Sequence, residues 1–247
     1  VFQEPAATKG DLRFRLLGIP VRISPWFWAV TVMLGLKDTT PQRLLVWVVA
    51  VFVSILWHEM GHAVVIRGFG FRPWVTLYGM GGLASYNPTE HRRFRGVGSL
   101  EQILISLAGP GAGFVLAALL VGGIFASGHG ESIRFIEPFH LRPVVFRASN
   151  VNLAMLFNDI SFVCVFWGLV NLLPVYPLDG GHIARELFLR FNLRDGIRQS
   201  LILSIVTAIG FGIYAAAKWH DAFILIFFAW LAFNNFQVLQ AYSGRGR

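Results

Sequence analysis

The chain has 247 residues, 55% of them apolar and only 14% charged, with a mean hydropathy of +0.60. Soluble chains are nearer half apolar and a quarter charged, and a water-soluble domain of this size has no place for 23 Phe and 8 Trp, since over half of a folded surface is already apolar. A soluble enzyme, a disordered tail and a disulfide scaffold (the chain has one cysteine, Cys164) are excluded, and the net charge of +8 reads as membrane-flanking arginine rather than a nucleic-acid footprint.

The first ten residues are polar and carry no signal-peptide pattern. A membrane span needs about 20 apolar residues, and six candidates follow in chain order: about 23–36, short and with Pro25 near its start, then 44–66, 100–126, 151–173, 201–217 and 222–239. Between the second and third spans, residues 71–87 place β-branched and aromatic residues on either side of Gly79, Gly81 and Gly82, which predicts a β-hairpin. The third span carries a small-residue surface, Gly109, Gly111 and Gly113 with Ala108 and Ala112, that admits a close neighbour helix. Six spans put fifteen Lys and Arg on the side of the termini and six on the other, so both termini are expected in the cytosol. The expected fold is an all-α polytopic membrane protein of six transmembrane helices with a small β-hairpin. Residues 1–247 form a single membrane-embedded domain, with core spans 44–66, 100–126 and 151–173.

The second span contains His58-Glu59-Met60-Gly61-His62. Residues four apart share a helix face, so two imidazoles point the same way with a carboxylate beside them, as in a zinc site with two His ligands and a general base. Polar residues inside a bilayer helix are expensive, about 2.5–3.5 kcal/mol for a charge at its centre. A catalytic zinc needs a third protein ligand and an open position. The soluble H-E-x-x-H-x-x-G-x-x-H pattern is absent, because Val65 and Gly68 stand where it needs Gly and the last His. The best candidate is Asp179, in Asn171-Leu-Leu-Pro-Val-Tyr-Pro-Leu-Asp-Gly-Gly181, which follows the fourth span on the same side as the end of the second. A helix N-cap is the ordinary alternative for Asp179. His182 is assigned a supporting role, Asp159 a local polar contact, and His91, His129, His140 and His220 are read as solvated loop side chains.

His58-Glu59-Met60-Gly61-His62, Ser106-Leu-Ala-Gly-Pro110 and the N-x-x-P-x-x-P-L-D-G-G order of residues 171–181 together resemble the site-2 protease family of intramembrane zinc metalloproteases, in a minimal form without PDZ or CBS modules. The resemblance implies one Zn2+ held by His58, His62 and Asp179, with Glu59 as the catalytic base. It implies that Asn171, Pro174 and Pro177 position substrate, and that the hairpin with Gly81 and Gly82 is a re-entrant loop beside the active site. Partners would be single-span membrane-protein substrates and the lipid bilayer, with no nucleic acid; the setting would be the cell (inner) membrane if the source is bacterial. The alternative is a non-catalytic membrane scaffold with a structural metal site, against which the retained Glu59 argues. Counting residues along the second span at 1.5 Å each puts the zinc about a dozen Å inside the cytosolic boundary of a core about 30 Å thick.

Overall fold

The computed structural model describes residues 4, 6–36, 40–87, 97–128, 133–135, 144–146, 150–219 and 222–244. His91, His129, His140 and His220 lie outside the described residues. The chain divides into two compact units, Val1–Gly96 with Ala108–Leu169, and Val97–Leu107 with Val170–Arg247.

The first unit opens with two strands that the periodicity of the spans did not reveal, β1 (Leu12–Leu16) and β2 (Ile19–Ile23). The alternation Leu-Arg-Phe-Arg-Leu is the period of a strand. The two-residue turn Leu17–Gly18 has positive φ at both positions, the geometry that matches the twist of a tight hairpin. A short helix follows, α1 (Pro25–Gly35), capped by the Ser24 side chain and started by proline. At 11 residues it is about 16 Å long, half a hydrocarbon core. The first expected span is therefore a short apolar helix. Among the described residues five helices are long and apolar enough to cross a membrane, so six spans is an approximate count.

Helix α2 (Pro41–Gly68) is one of these, entered through a Thr40 cap with Pro41 in its first turn. The hairpin then appears as β3 (Pro73–Tyr78) and β4 (Gly81–Tyr86), paired Tyr78 to Gly81 around Gly79 and Met80. It is half of a four-stranded sheet in the order β1-β2-β3-β4. The pairing of β2 with β3 is parallel, Val21 opposite Val75 and Ile23 opposite Leu77. The buried faces of these strands (Ile19, Val21, Ile23, Val75, Leu77) pack with Phe27 of α1 and Val51, Ile55, Met60 and Ala63 of α2 in one apolar core. Helix α3 (Ser99–Ala126) belongs to this unit from Ala108 onward. A small hairpin, β5 (Ile133–Phe135) and β6 (Val144–Phe146), precedes α4 (Val151–Asn171).

Lipid gives helices no hydrophobic reason to associate, so they are held by close packing and by polar contacts. Both occur here. Gly61 of α2 lies so near α3 that an added Cβ would come within 2.5 Å of the Ala108 carbonyl oxygen, and Gly113 of α3 faces the Cys164 carbonyl of α4. The polar contact is a two-pronged ion pair: Arg43 Nη2 donates to Asp159 Oδ1 at 2.9 Å, and Nη1 to Oδ2. Asp159 is fully buried; its expected local polar contact is this pair between α2 and α4.

The second unit contains α5 (Asp179–Phe191), α6 (Gly196–Trp219) and α7 (Ala222–Gly244). Helices α6 and α7 are both long and apolar enough to cross a membrane and pack at Gly212, where a Cβ would lie 3.2 Å from Phe228 Cβ. Helix α5 occupies a stretch that the positions of the spans left as a loop. It is amphipathic, with Arg185, Glu186 and Arg190 among its apolar residues.

Removing one partner of a buried ion pair costs about 3–5 kcal/mol, whereas replacing both with apolar residues is often neutral. Asp159→Ala should therefore lower stability by about 3–5 kcal/mol in detergent unfolding, and Arg43→Met with Asp159→Leu should recover most of it. Unchanged stability in Asp159→Ala would show that the pair does not hold α2 to α4.

Candidate functional site

The first unit gathers a histidine pair, a carboxylate and three glycines. His58, Glu59 and His62 lie on the buried face of α2. Their four-residue spacing sets the two imidazoles nearly perpendicular, ring centroids 4.9 Å apart, with His58 Nε2 and His62 Nε2 only 3.2 Å from each other. Zinc–nitrogen bonds of about 2.0–2.1 Å at a tetrahedral angle require nitrogens about 3.3 Å apart. The pair therefore fits one Zn2+ with both Nε2 atoms already converging. Borderline-soft imidazole nitrogen is also the donor chemistry this metal favours.

Helix α3 closes one side. Gly109 stands directly against the pair: a Cβ there would overlap His62 Nε2 and lie 2.6 Å from His58 Nε2. Any side chain would fill the space into which the nitrogens point. Gly111, two residues on, meets nothing within 4 Å. The sequence marked this stretch as a packing surface, and packing is what most of it does. Gly109 has a further role that spacing alone did not reveal, because it depends on which residue of α3 faces His58 and His62.

The β3–β4 hairpin closes another side. A Cβ on Gly82 would collide with the Glu59 side chain, including Cδ at 2.6 Å, so the glycine lets strand backbone lie directly on the carboxylate. Gly81 has φ of +119° and faces the Trp167 ring, a conformation L side chains rarely adopt. Burial first, and the Glu59 charge second, hold the Tyr78 phenol above its ordinary pKa.

The second unit holds the other predicted residues. Asn171 is buried at the end of α4, and Pro174 and Pro177 lie in the irregular segment that follows. Asp179 is the first residue of α5, and the cap position belongs to Leu178, which makes no side-chain cap bond. The ordinary reading of Asp179 as the N-cap is thus not what the backbone adopts. Tyr176 packs edge-on against His182, ring centroids 5.1 Å apart.

The model of peptidase family M50 matches residues 46–217, and the chain belongs to this family. The expected resemblance is thereby borne out. The chain is 25% identical over 179 residues to the zinc metalloprotease MJ0392 of Methanocaldococcus jannaschii, covering 70% of this chain and 44% of that protein. It is 26% identical over 217 residues to sll0528 of Synechocystis, covering 82% of this chain and 50% of the relative. The chain thus spans about half the length of the curated relatives it matches. Its fold is similar to the solved site-2 protease from M. jannaschii, with a TM-score of 0.58 over 93% of this chain and 95% of that one, at 19% identity. Given its family and the five helices among its described residues that are long and apolar enough to cross a membrane, the chain is an integral membrane protein.

Overfilling a packed site costs about 1–3 kcal/mol, and at Gly109 that cost falls on the imidazoles. Gly109→Val should weaken binding of added zinc by about tenfold or more, measured by chelator competition, whereas Gly111→Ala should leave it unchanged. Equal zinc affinity in the two variants would remove Gly109 from the site.

Proposed function

We propose that the chain is an intramembrane zinc metalloprotease that hydrolyses peptide bonds in or near the transmembrane segments of single-span membrane proteins. The observation that carries this reading is the convergence of His58 and His62 Nε2 at 3.2 Å on the buried face of an apolar span that also carries Glu59. Each of three residues offers one ligand atom, an imidazole nitrogen from His58 and from His62 and a carboxylate oxygen from Asp179. Asp179 would be the third ligand and the two units would together carry one protease domain. Family membership supports this assignment, together with the N-x-x-P-x-x-P-L-D-G-G order around Asp179. Zinc bound there would supply Lewis-acid polarisation of the scissile carbonyl and a water acidified toward neutral pH.

The chain's own residues do the rest. Glu59 takes the proton of the attacking water and returns it to the leaving amine, a role that only a base serves and a structural metal site does not need. A substrate helix hides its carbonyls in backbone hydrogen bonds, so the cleaved stretch must unwind first. Strand β4 is the end strand of its sheet, and its Gly82 lies against Glu59. An unwound substrate strand that pairs with this edge is delivered to the base. Asn171, Pro174 and Pro177 help to hold it, as the family resemblance suggests. The expected setting is the cell membrane with the C-terminus cytosolic, since beyond α2 eleven Lys and Arg lie on the C-terminal side and four on the other.

Purified protein should bind about one zinc per chain. His58→Ala, His62→Ala and Asp179→Ala should each abolish tight binding, and His182→Ala should not. Glu59→Gln should keep fold and zinc but lose cleavage of single-span substrates by about 10²-fold or more. Cleavage at the unaltered rate in Glu59→Gln would overturn the proposed mechanism and favour the structural-metal reading. In a Cys164→Ala background, cysteines placed at 190–196 should label only from the cytosolic side and those at 41–42 only from the other side. Inverted labelling would overturn the topology.

A further inference from the structure

The irregular segment between α4 and α5 poses a problem in backbone chemistry. Pro174 and Pro177 lack N–H groups and break the helix. The peptide groups between them must be satisfied by something other than a helix or a sheet, since buried backbone polar groups without partners are rare and costly. Within the second unit, two side chains from two spans meet this need at one residue. Ser204 Oγ of α6 accepts from Tyr176 N–H at 3.1 Å, and Asn235 Nδ2 of α7 donates to the Tyr176 carbonyl at 2.6 Å.

The hydrogens of both side chains are committed. Ser204 and Asn235 are each 1% exposed. The Ser204 hydroxyl also donates to Ser200 O at 2.9 Å, which fixes its proton and leaves a lone pair facing the Tyr176 N–H. Asn235 also donates to Leu231 O at 2.8 Å, so both amide hydrogens go to carbonyls. A carboxamide buried in a lipid-spanning helix is a costly choice where an apolar residue would pack equally well. Three residues past Tyr176 stands Asp179. The chain between is short and internally tied, Leu178 N–H to Val175 O at 2.8 Å and Gly181 N–H to Leu178 O at 2.9 Å. The start of α5 lies so close that a Cβ on Gly181 would meet Tyr176 Cα at 2.6 Å.

We propose that Ser204 and Asn235 are positioning residues: by clamping both backbone groups of Tyr176, they set where the Asp179 carboxylate stands. The two C-terminal spans then carry part of the metal site's precision although they contribute no ligand. This inference rests on the reading of Asp179 as a zinc ligand. It predicts that loss of either clamp weakens zinc binding beyond any loss of stability, because a ligand whose segment can shift must be ordered again when the metal binds.

The test is zinc affinity of the full-length metal-free protein in detergent, by chelator competition, alongside its thermal midpoint. Asn235→Leu keeps the volume and removes the donor; Ser204→Ala removes the acceptor. Phe228→Leu is the control, since Phe228 is buried in the same α6–α7 contact and makes no contact of this kind. The expected result is a loss of about tenfold in zinc affinity for Asn235→Leu and Ser204→Ala, with Phe228→Leu lowering the midpoint while binding zinc as the unaltered protein does. Should Asn235→Leu not fold, Ser204→Ala decides. Unchanged affinity in the clamp variants, or an equal loss in Phe228→Leu, overturns the clamp. Unaltered zinc affinity in Asp179→Ala overturns instead the reading on which it rests.

Discussion

A polar side chain or peptide group cannot face lipid, so protein or a water-filled cavity must supply every partner. The placement of helices, hairpin and glycines in this chain follows from that constraint. Two imidazoles and a carboxylate stand on one face of a spanning helix, a composition that lipid would reject. They are tolerated because α3 and the β3–β4 hairpin cover them, and because the two ring nitrogens face each other at 3.2 Å. Arg43 and Asp159 are an independent case of the same rule: a fully buried carboxylate is retained because a guanidinium meets both of its oxygens.

The means of covering the site is the absence of side chains. Gly61, Gly82 and Gly109 each occupy a place where a methyl group would strike a neighbour, and two of these neighbours are the histidine pair and Glu59. Close approach of backbone covers these polar groups without filling the space beside them. A strand edge resting on Glu59 adds hydrogen-bonding backbone where an extended peptide can pair with it. A helix in that place would have had its own backbone groups already satisfied.

The second unit answers the same constraint by a different route. Its central segment is irregular because two prolines forbid a helix, and its buried peptide groups need partners from elsewhere in the protein. Buried Ser204 and Asn235 supply them at Tyr176. The same contacts restrict the segment that leads to Asp179, so a repair to the backbone also serves as a device for placement.

His58-Glu59-Met60-Gly61-His62 was legible in the sequence because its message depends on one helical turn: four-residue spacing on a helix puts both imidazoles on one face whatever surrounds them. The long spans were legible for the same local reason, since twenty apolar residues need no partner to be recognised. The β1–β2 hairpin was visible in principle, from the alternation at Leu12–Leu16, but short amphipathic strands beside stronger apolar runs give a weak signal. Helix α1 was taken as a short span because its residues are apolar, but the run begins in β2 at Ile23 and only 11 residues are helical. What the sequence could not state was which surfaces meet. The parallel pairing of Val21 with Val75 joins residues far apart in the chain, and a parallel pair has no turn chemistry to announce it. Gly109 reads as one small residue among several until the rotation of α3 about its axis turns it toward His58 and His62. Asn235 reads as an isolated polar residue until α7 meets the Tyr176 carbonyl. Local pattern determined the elements and the facing of the two imidazoles; the steric and hydrogen-bonding role of each glycine and buried amide depended on the distances between elements, and those are set only when the chain packs.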